Sequence, residues 1–501
     1  MLASAAAAVA LAGVACEPAQ RRTSDDTLVL AIESAMTTAD PRFAVTSWDS
    51  KLARMVAAGL TSVDTDDLQP RLNLASRRED IDDRTVDFTI RPDARFSDGT
   101  LVTAHDVVRT IHSLLVPDST SLHHKAFSER FERLEARSDR VVRFHLKEPL
   151  ATLASDLDFG ILSPTGLGAG PYVLRELTST HVLLEANPYY FGPPPRTPRM
   201  RIAFVRDAAA RLLMIVGGSA DVLLNSVRMD LIEEVRGRPR VQIETGPSVI
   251  LTYLLMNNAD PLLRDPRVRK AIALAIDRPS IIAAQYGGHA QLASGLLPAF
   301  HWAYSGDVPR YDFDPRRAAQ LLDEAGYPDP DGPGPRPRMS LVFKVSSDSF
   351  RLALARVLAA QLSAVGIEVE VRSFEFATFF ADIKKGSFQL ASMQSAELSE
   401  PDYYHFYFHS GRIPDASNPD GGNRWRYRNR DVDRLTEAGR RELDPVKRKA
   451  IYAEIQRQVA ADLPVFPLWH DDNVVLSNRD VQSYHLTPNA RLTGFAGAWK
   501  R

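Results

Sequence analysis

The stretch FSDGTLVTAHDVVRTIHSLL, Phe96 to Leu115, sets the reading of the chain. Asp98-Gly99 is a tight-turn dipeptide, because glycine reaches positive φ without a Cβ penalty. Thr103 stands where an N-cap hydroxyl is wanted. Asp106 follows three residues later, the spacing of a capping box with Asp in place of the preferred Glu or Gln. Val107, Ile111, Leu114 and Leu115 then share one helical face, and Pro117 predicts the stop. Just upstream, VDFTIRP (86–92) alternates apolar and polar residues, the pattern of a half-buried strand. The unit is a strand, a turn and a well-started helix, and no group in it demands chemistry.

The same grammar runs outward in both directions. TLVLAIE, from Thr27, reads as a buried strand. TSWDSKLARMVAAGLTSVD predicts a helix with Leu52, Met55 and Val56 on one face and Gly59 as C-cap. YLLMNN (253–258) is a strand. In DPRVRKAIALAIDRPSII (265–282), Asp265 is an N-cap with Pro266 at the first helical position. Val268, Ala271, Ile272, Ala275 and Ile276 follow the spacing of a packed helix, and Asp277 caps the next one. YDFDPRRAAQLLDEAGYP predicts a helix ended by Gly326. LVFKVSS, a helix from Phe350 to Val365 ended by Gly366, and IEVEVRSF complete an alternation of strands and helices that signals an α/β architecture.

The 501 residues are enough for several domains, and 44% hydrophobic with 25% charged residues is ordinary for a globular chain. A formal net charge of −2 gives no reason to expect nucleic acid or an anionic membrane surface as partner. Cys16 is the one cysteine, which excludes an internal disulfide. It ends MLASAAAAVALAGVAC, an apolar, alanine-rich run too short to span a bilayer. That run resembles the end of a bacterial lipoprotein signal peptide, with Cys16 as the lipidated residue and an ordinary cleaved signal as the alternative.

Taken together, the motifs resemble the extracytoplasmic solute-binding proteins of peptide-type ABC transporters, a family that includes oligopeptide-, dipeptide- and nickel-binding proteins. Phe96–Leu115 carries the resemblance together with GAGPYVL (168–174), EANPYYFGPPP (185–195), YLLMNN with LLRDPRVRKAIALAIDRPSII, YDFDPRRAAQLLDEAGYP, LSAVGIEVEV and FPLWH, in that order over about residues 27–475. It implies a two-lobed α/β clamp of the type II periplasmic-binding-protein kind, with an extra domain inserted in the first lobe. The expected organisation is a signal segment at 1–16, a linker at 17–26, lobe I from 27–46, 168–255 and 478–501, the inserted domain at 47–167, and lobe II at 256–477. The implied function is the substrate-binding component of an ABC importer. It would be a monomer held outside the cytoplasmic membrane, handing a peptide or peptide-like solute to permease subunits whose ATPase subunits are separate. The same fold binding a metal chelate, sugar or opine is the alternative, and an exported hydrolase a remote one.

A protein that accepts many peptides must hold what all share: backbone, ammonium and carboxylate. In the peptide-binding relatives an acidic residue in an A-D-x-x-E-P pattern holds the ammonium. Here A-E-L-S-E-P (396–401) puts Glu397 at that place. The arginine that holds the carboxylate in dipeptide-binding relatives aligns with Val345, and its neighbour Lys344 faces the other side of a strand. This departure argues against strict dipeptide recognition. The remaining candidates are Tyr253 and Asn257 on the strand leaving the hinge, Trp48 after the first strand, Tyr403 and its neighbour Tyr404 after Pro401, and Trp425 in GGNRWRYRNRDVD. HFYFH (405–409) puts His405 and His409 one helical turn apart, but lacks the H-E-x-x-H glutamate and a third ligand. No metal, no other cofactor and no catalytic residue is expected. GLGAG (166–170) precedes a Pro-Tyr strand start and so reads as a linker, not a phosphate cradle.

Overall fold

A computed structural model of the chain describes residues 23–501 except 45, 228–230, 333, 396 and 397. Among the described residues, three sheets carry the architecture. A seven-stranded mixed sheet forms lobe I, in the order Val241–Gly246, Asn473–Asn478, Val222–Leu224, Thr27–Ile32, Arg199–Phe204, His181–Ala186, Tyr172–Leu177. A six-stranded sheet forms lobe II, in the order Ala290–Leu292, Val465–Asp471, Leu251–Met256, Leu390–Ser395, Met339–Ser346, Ile367–Phe374. A four-stranded antiparallel sheet (Ala75–Asp80, Thr85–Ile90, Val141–Leu146, Phe131–Ala136) falls in the chain between the lobe I strands Thr27–Ile32 and Tyr172–Leu177, as an insertion in that lobe.

The opening stretch folds as its residues dictate. Gly99 has φ of 88° in the turn, and the helix Ala104–Leu115 starts with a complete Thr103/Asp106 capping box. Val107, Ile111 and Leu114 are fully buried against Phe88 and Phe144 of the small sheet. The helix at 265 also forms as expected, Pro266–Leu274, and its buried arginine does more than its capping residues. Arg269 donates to the carbonyls of Leu463 (2.9 Å) and Leu263 (2.8 Å), and to those of Arg264 and Asp462. Arg278, on the following helix Arg278–Tyr286, donates to Ala293 O (2.8 Å) and Pro467 O (3.0 Å) and lies over the Phe466 ring. Desolvation holds its guanidinium down to about 10. Two motif arginines thus satisfy carbonyls of elements far away in sequence, which backbone burial requires.

Three expected boundaries move. Trp48, Leu52 and Met55 of the helix Ser47–Val56 pack with Leu28, Leu30 and Tyr172, so this helix belongs to lobe I, and the inserted domain's core runs from Ala58 to Ala169. The strand Leu251–Met256 pairs inside the lobe II sheet, so the first crossing lies at 247–250, not after 255. The strand Asn473–Asn478 pairs inside lobe I, so the return crossing lies at Asp472. The first helix also ends at Val56, with Ala57 as its cap. Gly59 is glycine for another reason: a Cβ there would stand 2.6 Å from the carbonyl oxygen of Leu157. Gly168 and Gly170 in GLGAG likewise press on the backbone of Val56, where a Cβ would lie 2.2 Å and 2.5 Å from its carbonyl oxygen or carbon. That glycine run is a close-packed return into lobe I.

Candidate functional site

The two crossings are bound to each other. Ser248 Oγ donates to the carbonyl of Asp471 and accepts from Ile250 N (3.0 Å), and Asp471 N donates to Ile250 O (3.0 Å). The Asp471 carboxylate accepts from Thr252 Oγ1 (3.0 Å) and from Gln394 Nε2. Complete desolvation pushes its carboxyl up to about 6, against a nearby opposing Arg351. His470, beside it, is held down to about 4 by burial. On the lobe I side, Asn473 Nδ2 donates to Pro488 O (3.0 Å), and Asn225 Nδ2 donates to Asn473 Oδ1 (2.8 Å). Asn225 adopts φ of 51°, a left-handed conformation asparagine tolerates.

From Asn225 the lobe I wall is one residue away. Ser226 Oγ donates to Glu33 Oε2, and Trp48 Nε1 donates to Glu33 Oε1 at 2.9 Å. Glu33 follows the last residue of the strand Thr27–Ile32 and is half-buried. Lys51 Nζ lies 4.8 Å from the Trp48 ring centroid, which fixes the indole from its other face. The result is a carboxylate held in place by two neutral donors at the end of a central strand, suited to a charge-assisted hydrogen bond with a cation.

The lobe II wall is aromatic. Tyr253 stands edge-on to Trp425, with ring centroids 6.1 Å apart and planes at 83°. Tyr407 stacks on Trp425 at 5.6 Å, and Tyr403 stacks on Tyr407 at 6.0 Å. Ser395 Oγ and Tyr407 OH share a hydrogen bond of 2.6 Å. Tyr253 and Trp425 are buried, yet the Tyr253 hydroxyl, the Trp425 indole N–H and Arg424 Nε have no hydrogen-bond partner. The Tyr253 hydroxyl has Ser395 and Arg424 beside it, and desolvation raises its pKa. Arg424 lies over Phe380, 4.9 Å from the ring centroid. Most buried polar groups in folded proteins are satisfied; this wall has three open donors, and Tyr286, Tyr452 and Trp469 have further open groups elsewhere in lobe II.

Comparison with known proteins agrees with this architecture. Residues 69–414 match the model of the bacterial extracellular solute-binding proteins, family 5, middle region. The chain belongs to that family. Its relatives include a probable di/tripeptide-binding protein 5 of Pseudomonas aeruginosa, 28% identical over 72% of this chain and 71% of that protein. They also include the oligopeptide-binding protein AppA of Bacillus subtilis, 25% identical over 89% and 87%. Among solved structures, that AppA in complex with a nonapeptide superposes with a TM-score of 0.79 at 23% identity, over 95% of this chain and 99% of that one. NikZ of Campylobacter jejuni in complex with Ni(L-His) gives 0.82 at 22%, over 95% and 100%. The two-lobed α/β clamp is thus the fold of this family 5 member.

The fold sorts the sequence candidates. Tyr253, Tyr403 and Trp425 come together on the lobe II wall, and Trp48 stands on lobe I as the clamp on Glu33. Asn257 is elsewhere: it follows the far end of the strand Leu251–Met256, and its amide donates to Gly386 O (3.0 Å) and Phe388 O (2.9 Å), a structural task. Glu397 and Cys16 lie outside the described residues. Val345 is fully buried in the lobe II core, and Lys344 Nζ is paired with Asp382 at 2.6 Å. The histidines of HFYFH have ring centroids 4.6 Å apart with planes tilted by 33°, but burial depresses the His405 pKa and the Arg440, Arg412 and Arg130 guanidinium groups reinforce that. His409 pairs with Glu437 at 3.1 Å, and no group of three His, Cys, Asp or Glu converges as a metal site among the described residues. Glu33 and Arg424 were not singled out from the sequence. The signal for Glu33 is a carboxylate directly after the buried strand TLVLAI.

The glutamate of A-E-L-S-E-P has a different task. Glu400 accepts from Ser155 Oγ of the inserted domain (2.8 Å) and pairs with buried Arg448. Around it, Arg130 pairs with Asp156, Arg440 Nε with Asp402 Oδ1 at 3.2 Å, and Ala151 N donates to Arg440 O at 2.9 Å. Desolvation lifts the Asp402 carboxyl to about 6. This contact ties the inserted domain to lobe II.

Proposed function

We propose that the protein is the substrate-binding component of an ABC importer. It captures peptides outside the cytoplasmic membrane and hands them to permease subunits driven by separate ATPase subunits. What supports this reading is the complementary chemistry of two walls, one on each lobe. One presents a positioned carboxylate, Glu33, the other open donors on Tyr253, Arg424 and Trp425. A peptide has both complements, an ammonium at one end and carbonyl and carboxylate acceptors along the rest. Arg424 then takes the carboxylate role that Val345 cannot fill. Glu397 remains a second proposed ammonium partner. The names of the relatives, which bind di-, tri- and oligopeptides, support the same class. Cys16 is the proposed lipid anchor, and the protein acts by binding, without turnover.

Native mass spectrometry of the purified, never-refolded protein tests this. A ladder of bound masses that fragment into peptides is expected. One discrete non-peptide mass, such as a metal chelate, overturns it.

A further inference from the structure

Lobe II contains a pocket of about 160 Å³, and every residue that lines it belongs to residues 251–467. It begins at Leu251, the first residue after the crossing, and at Ser395, its partner in register. It runs under the 292–312 segment toward Arg278. Its walls are aromatic and aliphatic: Tyr253, Tyr404, Tyr407, Phe408, Trp425 and Val459 among others. Gly295 is needed in its rim, since a Cβ there would lie 2.8 Å from the Tyr404 hydroxyl.

The polar groups of this pocket divide sharply. Tyr404 OH accepts from Leu296 N at 3.2 Å, and Tyr311 OH donates to Ala460 O at 2.9 Å. Gln456 donates to Ala303 O and Tyr452 O and accepts from Ser305 N. Arg278 is spent on carbonyls, and Ser395 and Tyr407 bond each other. Among the buried side chains two groups are left, the indole N–H of Trp425, a residue 1% exposed, and the hydroxyl of Tyr253, 3% exposed, with Ser395 and Arg424 beside it; exposed Arg310 and Asp312 line the rim. They are edge-to-face neighbours. Aromatic walls favour an aromatic guest, which packs edge-to-face and offset against them. An open N–H beside an open O–H favours a guest that carries an oxygen able to accept from one and exchange with the other.

We infer that this pocket reads one side chain of the captured peptide and selects an aromatic ring bearing a hydroxyl, with Trp425 and Tyr253 as the groups that bind its oxygen. The inference rests on the peptide reading above. A site with buried groups committed to a hydroxyl discriminates against the analogue without it, because they would be left unpaired.

The test is calorimetric binding of tripeptides X-Ala-Ala, Ala-X-Ala and Ala-Ala-X to the purified protein, with X as Tyr, Phe or Ala. At one position of X, Tyr is expected to bind at least tenfold tighter than Phe, and Phe tighter than Ala. Trp425→Phe is expected to reduce the Tyr-over-Phe ratio by tenfold or more while Phe stays ahead of Ala. Ala460→Leu, which fills the pocket from the helix Pro445–Asp462, is expected to weaken the Tyr peptide toward the Ala peptide. Melting curves of both variants show whether they are folded. If peptides bind but Tyr, Phe and Ala are equal at all three positions, the pocket is not the selector and the importer reading stands. If no tripeptide and no longer peptide binds, the peptide reading falls and the inference with it.

Discussion

The two walls, one on each lobe, solve opposite problems. On lobe I, the Glu33 carboxylate already has Trp48 and Ser226 as donors, and nearby Asp49 accepts from Thr37 N and Thr37 Oγ1. On lobe II, Tyr253 and Trp425 are as deeply buried, yet their polar atoms are open. A satisfied buried group stabilises the free protein modestly. An unsatisfied one costs about 1–3 kcal/mol until an acceptor arrives. On the peptide reading proposed above, the lobe I wall is finished before the ligand comes, and the lobe II wall is completed by it. On that reading the finished wall holds the ammonium that peptides share, and the unfinished wall takes their acceptors and the side chain by which they differ.

The bluntest way to break this contrast is Trp425→Ala. The side chain touches Tyr253, Tyr407 and Phe408, and truncating a buried large aromatic typically costs about 3–5 kcal/mol. Chemical denaturation should show a loss of that size, together with loss of the bound-mass ladder. An unchanged midpoint would mean that the aromatic wall is not a packed unit.

The hinge supplies a second test, through pH. The Asp471 carboxyl sits at about 6 in the folded chain against an ordinary 3.8. The folded chain binds the extra proton between those values. Its contribution to stability is thus fully present below 3.8 and is lost as pH rises through 6. Arg351, Asp472, Thr252 and Gln394 face the group, and Arg351 limits the shift. Asp402, also near 6, titrates in the same direction, so the wild-type slope contains both. Asp471→Asn should flatten the fall in stability between pH 4 and pH 7 by up to about 3 kcal/mol. Parallel wild-type and variant melting curves across that range would refute the hinge assignment.

Asn257 separates structure from site. Its amide bonds two carbonyls at 386 and 388, and Asn257→Ala should cost about 1–3 kcal/mol while the bound ligand masses stay the same. A changed ligand spectrum at preserved stability would return Asn257 to the binding wall.

The place of Asn257, at the far end of its strand, shows what the sequence makes legible. Local rules had enough information for the caps at Thr103, Asp265 and Asp277 and for the buried face from Val268 to Ile276, because each depends on neighbours within a turn or two. The order of motifs then carried the two-lobed fold. What stayed illegible depends on distant partners. Gly59 fits a helix cap locally but answers to Leu157, and nothing within a turn of Arg269 or Arg278 points to the carbonyls at 462–468 that they bond. Glu33 acquires its meaning only when Ser226 and Trp48 fold onto it. Trp425 was placed by its loop, but the openness of its N–H is a property of everything that failed to reach it.

The finest test sets the two indoles against each other. Trp48→Phe and Trp425→Phe remove the same atoms from residues that are both largely buried, so the loss of packing is similar in kind. They differ in the hydrogen bond. At Trp48 the substitution breaks a made bond of 2.9 Å to a carboxylate and leaves Glu33 with Ser226 alone. At Trp425 it removes a donor that had no partner in the free protein. The ligand-free protein should therefore be destabilised more by Trp48→Phe, by about 1–2 kcal/mol relative to Trp425→Phe. Saturating peptide should narrow or reverse that order, because the Trp425 bond exists only in the complex. Equal losses with and without ligand would mean that both walls are finished in advance, and the asymmetry would then have no part in selection.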